Sequence, residues 1–448
     1  MRTIGVAVLV IFLLFVSDSL EAANFSSNKG LSVSSSLEYQ LISQEYYNAI
    51  IDTSSIDGIE SWVLAKDNIE DLLARVGLQY RYQTAQNKHY FRSDLEVSKD
   101  RWIGRGESAI TLGGYDSYIK LLGKVELKLI IDEEETGNSG YLHIFSYLKG
   151  RQKVSDKISL GGRISVEHVG FNEPKGSEEP DASLGSIRLY RDYDYTLLGG
   201  QINGNIALTE FGKSIDWQAS ITKRYVPDSV LAEYNQFYSM LSYSNFTMQG
   251  YVMAEISAEY KDYAQPGNQN DFGALDVGSR IGYSFSDRYA ASLFSSFTLY
   301  KYLAPDIVNH DNWRGRIEIK GIRHLSDWEF GPKIQFEFSS DSPPEDLESD
   351  GVVYSEDYNQ WGIGTHVSNF GSSLGIIDAE IIYGNRSYTG QDVLITSYNL
   401  INVSIMASLN VHRHLALNLF FDGDFEDHDS KEQNSNLYIF SISVSTHF

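Results

Sequence analysis

Apolar and polar residues alternate along most of the chain, most cleanly toward its C-terminal end. From Leu400 to Val411, Ile401, Val403, Ile405, Ala407, Leu409 and Val411 share one parity, and Asn402, Ser404, Ser408 and Asn410 the other. From His414 to Phe425, Leu415, Leu417, Leu419 and Phe421 alternate with Asn418 and Asp422. A period of two with one apolar and one polar face predicts strands between two different environments. Only His412-Arg413-His414 separates these two, so a tight turn joins them, while the polar run Glu426–Ser435 is the connection at the other end.

The same rhythm of short turn and long polar connection continues toward the N-terminus. Tight turns are predicted near Phe370–Ser373, Leu325–Asp327, Ser286–Arg288, Asn245–Thr247, Gly212–Ser214, Val154–Lys157, Gly113–Ser117 and Ala85–Lys88. Longer stretches alternate with them, among them Glu133–Asn138, Phe171–Ser183, Ala304–Asn312 and Asp341–Asp357. Ser155-Asp156-Lys157, Ser286-Asp287-Arg288 and Ser326-Asp327-Trp328 each open a new alternating strand. The count comes to 20 or 22 strands, with 18 the lower bound; about 20 residues per strand and connection suits strands of about 9–11 residues. Two stretches fit the scheme poorly. Ser183–Phe211 reads as one long strand or three short ones. Residues 46–74 read as a long first loop or a non-barrel insert, because Asp67–Arg75 has a helical look.

The final segment, Asn436–Phe448, carries Tyr438, Phe440, Ile442, Val444, Thr446 and Phe448 on one face. Leu437, Ile439, Ser441, Ser443, Ser445 and His447 lie on the other. An alternating strand that ends on Phe resembles the last strand of bacterial outer-membrane β-barrels. Thr446 departs from the apolar residue usual at its position. The resemblance implies an all-β, transmembrane, antiparallel up-and-down barrel of about 18–22 strands, porin-like, in the outer membrane of a Gram-negative-type envelope. It also implies outer-membrane lipid and lipopolysaccharide as surroundings, and the barrel-assembly machinery as the partner reading Tyr438, Phe440, Ile442, Val444 and Phe448.

Composition agrees with that picture. Arg2 followed by the apolar run Ile4–Val16 and by Ala22 and Ala23 reads as a secretory signal peptide, so residues 1–22 are expected to be removed and 23–448 to form the barrel. There are 30 Tyr, 22 Phe and 37 Gly but no Cys, which suits a chain that crosses an oxidising compartment. Tyrosines near strand ends, such as Tyr195, Tyr260, Tyr263, Tyr300, Tyr302, Tyr383 and Tyr388, together with Tyr190 and Tyr193, are read as membrane-interface girdles. The formal charge of −24 argues against a nucleic-acid partner.

Candidate chemistry is sparse. Acidic runs at Glu133–Glu135, Glu178–Asp181, Asp341–Asp350 and Asp422–Asp429 are assigned to outside connections, where loosely held divalent cations are the expected partner. The last lacks the glycine of an EF-hand loop, and no cofactor or metal centre is expected. Gly371-Ser-Ser-Leu-Gly375 matches a nucleophile-elbow pattern but joins two strands, so it reads as a turn. His366-x-Ser368 resembles the His-x-Ser motif of the outer-membrane phospholipase and lipid A deacylase barrels, which implies Ser368 as nucleophile and His366 as base. By parity, however, the pair points into the lumen. Asp378 and Glu380 are candidate lumen charges. The expected function is a channel or export conduit for small polar solutes, cation-preferring through an acidic vestibule. The alternatives are a surface structural or adhesion barrel with a blocked lumen, and a lipid-acting hydrolase using His366 and Ser368.

Overall fold

The computed structural model describes residues 29–51, 59–84, 87–99, 101–114, 116–130, 140–171, 194–209, 212–227, 233–264, 271–303, 311–342, 357–372, 375–389, 396–412 and 414–447. The expected signal peptide, Phe448, Tyr190, Tyr193 and the acidic runs at 133–135 and 178–181 lie outside these residues. Twenty strands follow one another: β1 (Lys29–Ile51), β2 (Ile59–Gln83), β3 (Asn87–Val97), β4 (Arg101–Gly113), β5 (Ser117–Ile130), β6 (Tyr141–Lys153), β7 (Ile158–Phe171), β8 (Tyr195–Ala207), β9 (Lys213–Tyr225) and β10 (Tyr234–Thr247). The ring continues through β11 (Gly250–Tyr263), β12 (Phe272–Ser286), β13 (Tyr289–Tyr302), β14 (Asp311–Leu325), β15 (Trp328–Ser342), β16 (Tyr358–Ser372), β17 (Gly375–Tyr388), β18 (Tyr398–His412), β19 (Leu415–His428) and β20 (Ser435–His447). Each pairs antiparallel with its sequence neighbours. β20 returns to β1 from Ser34↔His447 to Glu45↔Asn436, which closes the sheet and removes its edges.

The expected rhythm of turns holds. β12 and β13, β14 and β15, and β10 and β11 are joined by two residues each, all at one rim, and the longer connections lie at the other. The recurring Ser-Asp turn has a local cause. The Ser155 Oγ accepts the Ile158 N–H at 3.2 Å, and the Ser286 Oγ accepts the Arg288 N–H at 3.3 Å, so the serine closes the turn on itself. At the opposite rim an acid does the same work. Asp194, Asp271 and Asp311 accept the backbone N–H of Phe171, Tyr263 and Tyr302 at 2.7, 2.7 and 3.0 Å, fastening the necks of three long connections.

Burial is inverted relative to a water-soluble protein. On β5, Ile119, Leu121 and Val125 point outward and are 56%, 53% and 47% exposed. On the inner face Lys333, His366, Gln335 and Glu96 are nearly inaccessible. Each large outward side chain would forfeit roughly 1.5–3 kcal/mol in water, so this wall requires an apolar medium. Charge follows the same partition. On β3 to β7 every Lys, Arg, Asp and Glu has inward parity, while outward charges such as Lys223, Asp262, Lys301, Arg323 and Asp427 sit at or near strand ends. Arg323 lies 5.9 Å from the Tyr289 ring and 5.6 Å from that of Phe330, a cation held over aromatic faces close to the short-turn rim.

Two readings of the sequence are corrected, the helical look of Asp67–Arg75 and the face taken by the tyrosines. The helical look gives way to strand: Asp67 pairs with Gln44 and Arg75 with Ser36. Beyond Glu45 and before Ala74, β1 and β2 pair only with each other, so they continue past the wall as a two-stranded ribbon. Of the Ser183–Phe211 region, residues 183–193 lie outside the described residues, and 195–207 form the single strand β8 without a break at Asn203-Gly204. Tyr195, Tyr263, Tyr300, Tyr302 and Tyr388 have inward parity and line the lumen, whereas Tyr260 and Tyr383 face outward. The outward aromatic clusters combine Trp, Phe and Tyr: the Trp313 ring lies 5.2 Å from Phe338 and 6.2 Å from Phe297, Trp361 lies 6.3 Å from Tyr383, and Tyr283 lies 5.2 Å from Phe285.

Candidate functional site

The candidate site is the lumen wall, and its chemistry is organised in rungs, each a line of inward residues placed side by side by the strand register. On one rung Gly77, Asp94, Arg105, Glu126 and His143 are successive partners across β2 to β6. Arg105 donates to Glu126 at 2.8 Å and to Glu96 at 3.1 Å, and lies 3.4 Å from Asp94. Arg75 completes Glu96 at 2.6 Å, Arg92 pairs with Asp94 at 3.1 Å, and Lys124 with Glu107 at 3.3 Å. The Tyr141 hydroxyl adds a donor to Glu126. These residues surround a cavity of about 490 Å³.

A second network stands on β14 to β17. The Lys333 ammonium bridges Glu380 at 2.7 Å and Glu318 at 3.1 Å, and Arg316 holds Glu318 at 3.1 Å. Lys333 and Glu380 belong to β15 and β17, and they meet across Gly364 of the intervening β16. The neighbouring Gly362 is equally forced: a Cβ there would collide with Ile382 and Gln335, which fill its place. Nearer the long-connection rim, the Arg386 guanidinium lies 4.2 Å from the Tyr358 ring and donates to Gln360 at 2.7 Å.

The expected residues fall as follows. Glu380 is a lumen charge, paired with Lys333, and Asp378 has the same inward parity beside Ser368 and Met406. Tyr438, Phe440, Ile442 and Val444 share the outward face of β20. Asp422, Asp424 and Glu426, read as an outside connection, are instead inward positions of β19: Glu426 accepts from Ser435 at 2.8 Å, and Asp424 from Asn402. His366 and Ser368 line the inner wall at 2% and 3% exposure, and neither ring nitrogen of His366 has a hydrogen-bond partner. The pair therefore faces neither lipid nor a bonded nucleophile. Among the described residues no group of three or more His, Asp or Glu side chains is arranged to hold a metal. Gly371 and Gly375 flank a strand-to-strand junction.

Solved structures share this architecture. The FrpB iron transporter from Neisseria meningitidis superposes with a TM-score of 0.54 at 7% identity, covering 96% of this chain and 83% of that one. This is the fold of an outer-membrane β-barrel. The barrel also resembles the copper transporter OprC, with a TM-score of 0.52, 9% identity, and coverage of 95% and 84%. The ferric-catecholate import receptor Fiu from E. coli K12 gives 0.51 at 8% identity, with coverage of 94% and 82%. No family model and no curated relative matches the sequence. At such identities the likeness concerns the fold. Sequence reasoning missed the charge ladders, whose signal is the pairing register rather than any local motif.

Proposed function

We propose that the chain is an outer-membrane conduit that passes small polar solutes through its lumen. The observation supporting this is a closed wall whose inward face gathers the charged side chains of β3 to β7 and the charge network of β14 to β17. A barrel of this strand number leaves room for water unless something fills it. The three neighbours named above are described as transporters or an import receptor, which agrees with transport as a class.

The described strands carry Lys and Arg about as often as Asp and Glu, so the acidic excess of the chain falls in its connections. Cation preference, on this reading, is set at the long-connection mouth and not along the wall. Single-channel recording of the refolded protein in a planar bilayer under a salt gradient tests both points. Discrete conductance steps are expected, and a folded, heat-modifiable barrel that never conducts would sink the proposal. A second reading, a surface adhesion barrel, draws on the β1–β2 ribbon. It has a blocked lumen, and it predicts that the folded barrel does not conduct and that trimming the ribbon abolishes cell attachment.

A further inference from the structure

Charges on the inner face of β2 to β5 are paired, but toward the short-turn rim the pairing stops. Lys120 of β5 is the register partner of Lys149 of β6, and Lys149 is the register partner of Arg163 of β7. Like charges directly opposite across strands destabilise a sheet, yet among the described residues none of the three is ion-paired. The Arg163 Nε is buried without a hydrogen-bond partner. Arg163 and Lys120 approach one Tyr147 ring, at 4.6 and 5.7 Å from its centroid, so the two outer cations of the row lean toward the strand between them.

Beside the row lies a cavity of about 120 Å³ whose lining includes Tyr118, Lys149, Arg151, Ser159, Asn203 and Asp216. At about 30 Å³ per water it holds roughly four waters or one compact anion. Its lining offers ammonium, guanidinium, hydroxyl and amide donors. Arg151 donates to Ser159 at 2.9 Å, and the Asp216 carboxylate is engaged by Asn205 at 2.7 Å and Ser214 at 3.3 Å. The cavity's one carboxylate is thus engaged by neutral donors and, among the described residues, makes no ion pair with the row.

We infer that Lys120, Lys149, Arg151 and Arg163 form a binding site for the tetrahedral oxyanion of a small phosphate-bearing solute. A phosphate group brings a charge near −2 and three strong acceptor oxygens, enough to engage several cations at once, and guanidinium groups hold it bidentately. The inference deepens the conduit reading and rests on it for access through the lumen.

The test is isothermal titration calorimetry of inorganic phosphate into the refolded full chain in detergent at low ionic strength. Saturable binding is expected. The Lys149→Gln/Arg151→Gln double variant should weaken it at least about tenfold. Lys149→Arg, which keeps the charge, should retain binding, and Arg280→Gln, a lumen cation on β12, should leave it unchanged. Absence of binding to the native protein, or equal binding to the double variant, overturns the site. The double variant removes like-charge repulsion, so its heat-modifiable gel migration should match the native barrel. The assay needs no ion flow. Phosphate binding by a barrel silent in bilayers would therefore refute the conduit and keep the site, whereas a conducting barrel that ignores phosphate would refute the site alone.

Discussion

On the rung that joins Asp94, Arg105 and Glu126 the charges alternate in sign around the wall; three rungs nearer the short turns, Lys120, Lys149 and Arg163 repeat one sign. The two bands share β5, the first running across β3 to β5 and the second across β5 to β7. Between them, across β4 to β7, lie the uncharged Ala109, Leu122, Tyr147 and Ser165. In the alternating band each carboxylate is held by one or two cations, and Arg105 is the member shared by Asp94, Glu96 and Glu126. In the like-charge band no such reciprocity exists, and Lys120 and Arg163 meet aromatic rings rather than carboxylates. A rung of alternating sign accounts for itself structurally; a rung of one sign points to a ligand.

Three substitutions would break or sharpen that contrast. The largest effect is expected from Arg105→Leu, which strips one partner from Glu96, Asp94 and Glu126 together. Stability in lipid vesicles, measured by urea unfolding, should fall by roughly 2–3 kcal/mol. The loss stays below that of a fully buried ion pair because the arginine side chain is 33% exposed. An unchanged midpoint would mean the ladder is decorative.

Next comes Leu122→Glu. Leu122 is only 4% exposed and sits on the same face as Lys120 and Lys124. A carboxylate there supplies the like-charge row with an internal partner, and phosphate affinity by calorimetry should drop about tenfold. If affinity holds, the charge of the row is not what binds. The smallest effect, opposite in sign to the first, belongs to Lys149→Gln. Relief of the cross-strand repulsion should raise unfolding stability by about 0.2–1 kcal/mol. That gain should shrink in 1 M salt, where the Debye length is about 3 Å. A destabilised variant would show that Lys149 is compensated within the wall.

Much of the fold was legible in single segments. The hairpin of β18 and β19 follows from Ile401 to Val411 and Leu415 to Phe421 on either side of a three-residue turn, because membrane strands must keep one parity apolar. The Ser-Asp turns were visible as repeats, and the structure shows the serine hydroxyl that makes them work. Asp67–Arg75 misled, since its acids and leucines also suit a helix. In the strand, Leu72 and Ala74 have outward parity, while Asp71, Leu73 and Arg75 have inward parity. Propensity gave way there to pairing with β1, as it often does in sheets. The tyrosines misled for a related reason. Proximity to a strand end says nothing about which face a residue takes, and one position decides it.

The candidate site was less legible still. Asp378 and Glu380 were identified as inward by parity, but nothing near them in sequence points to Lys333, which reaches Glu380 from two strands away. Lys149 and Arg163 flank a short turn, so their pairing can be counted through it. Lys120 and Lys149 are separated by a long connection, across which no counting fixes the register.

Sequence alone determined that this chain forms alternating strands, that their polar parity collects the charges, and that short and long connections take turns. Those properties are local, set by the two-residue period of a strand and by the chemistry of turns. Only the tertiary structure decided that twenty strands close, which rungs align, and whether neighbouring charges alternate or repeat. These depend on register between strands far apart in sequence, and a shift by one residue would move every charge to the other face.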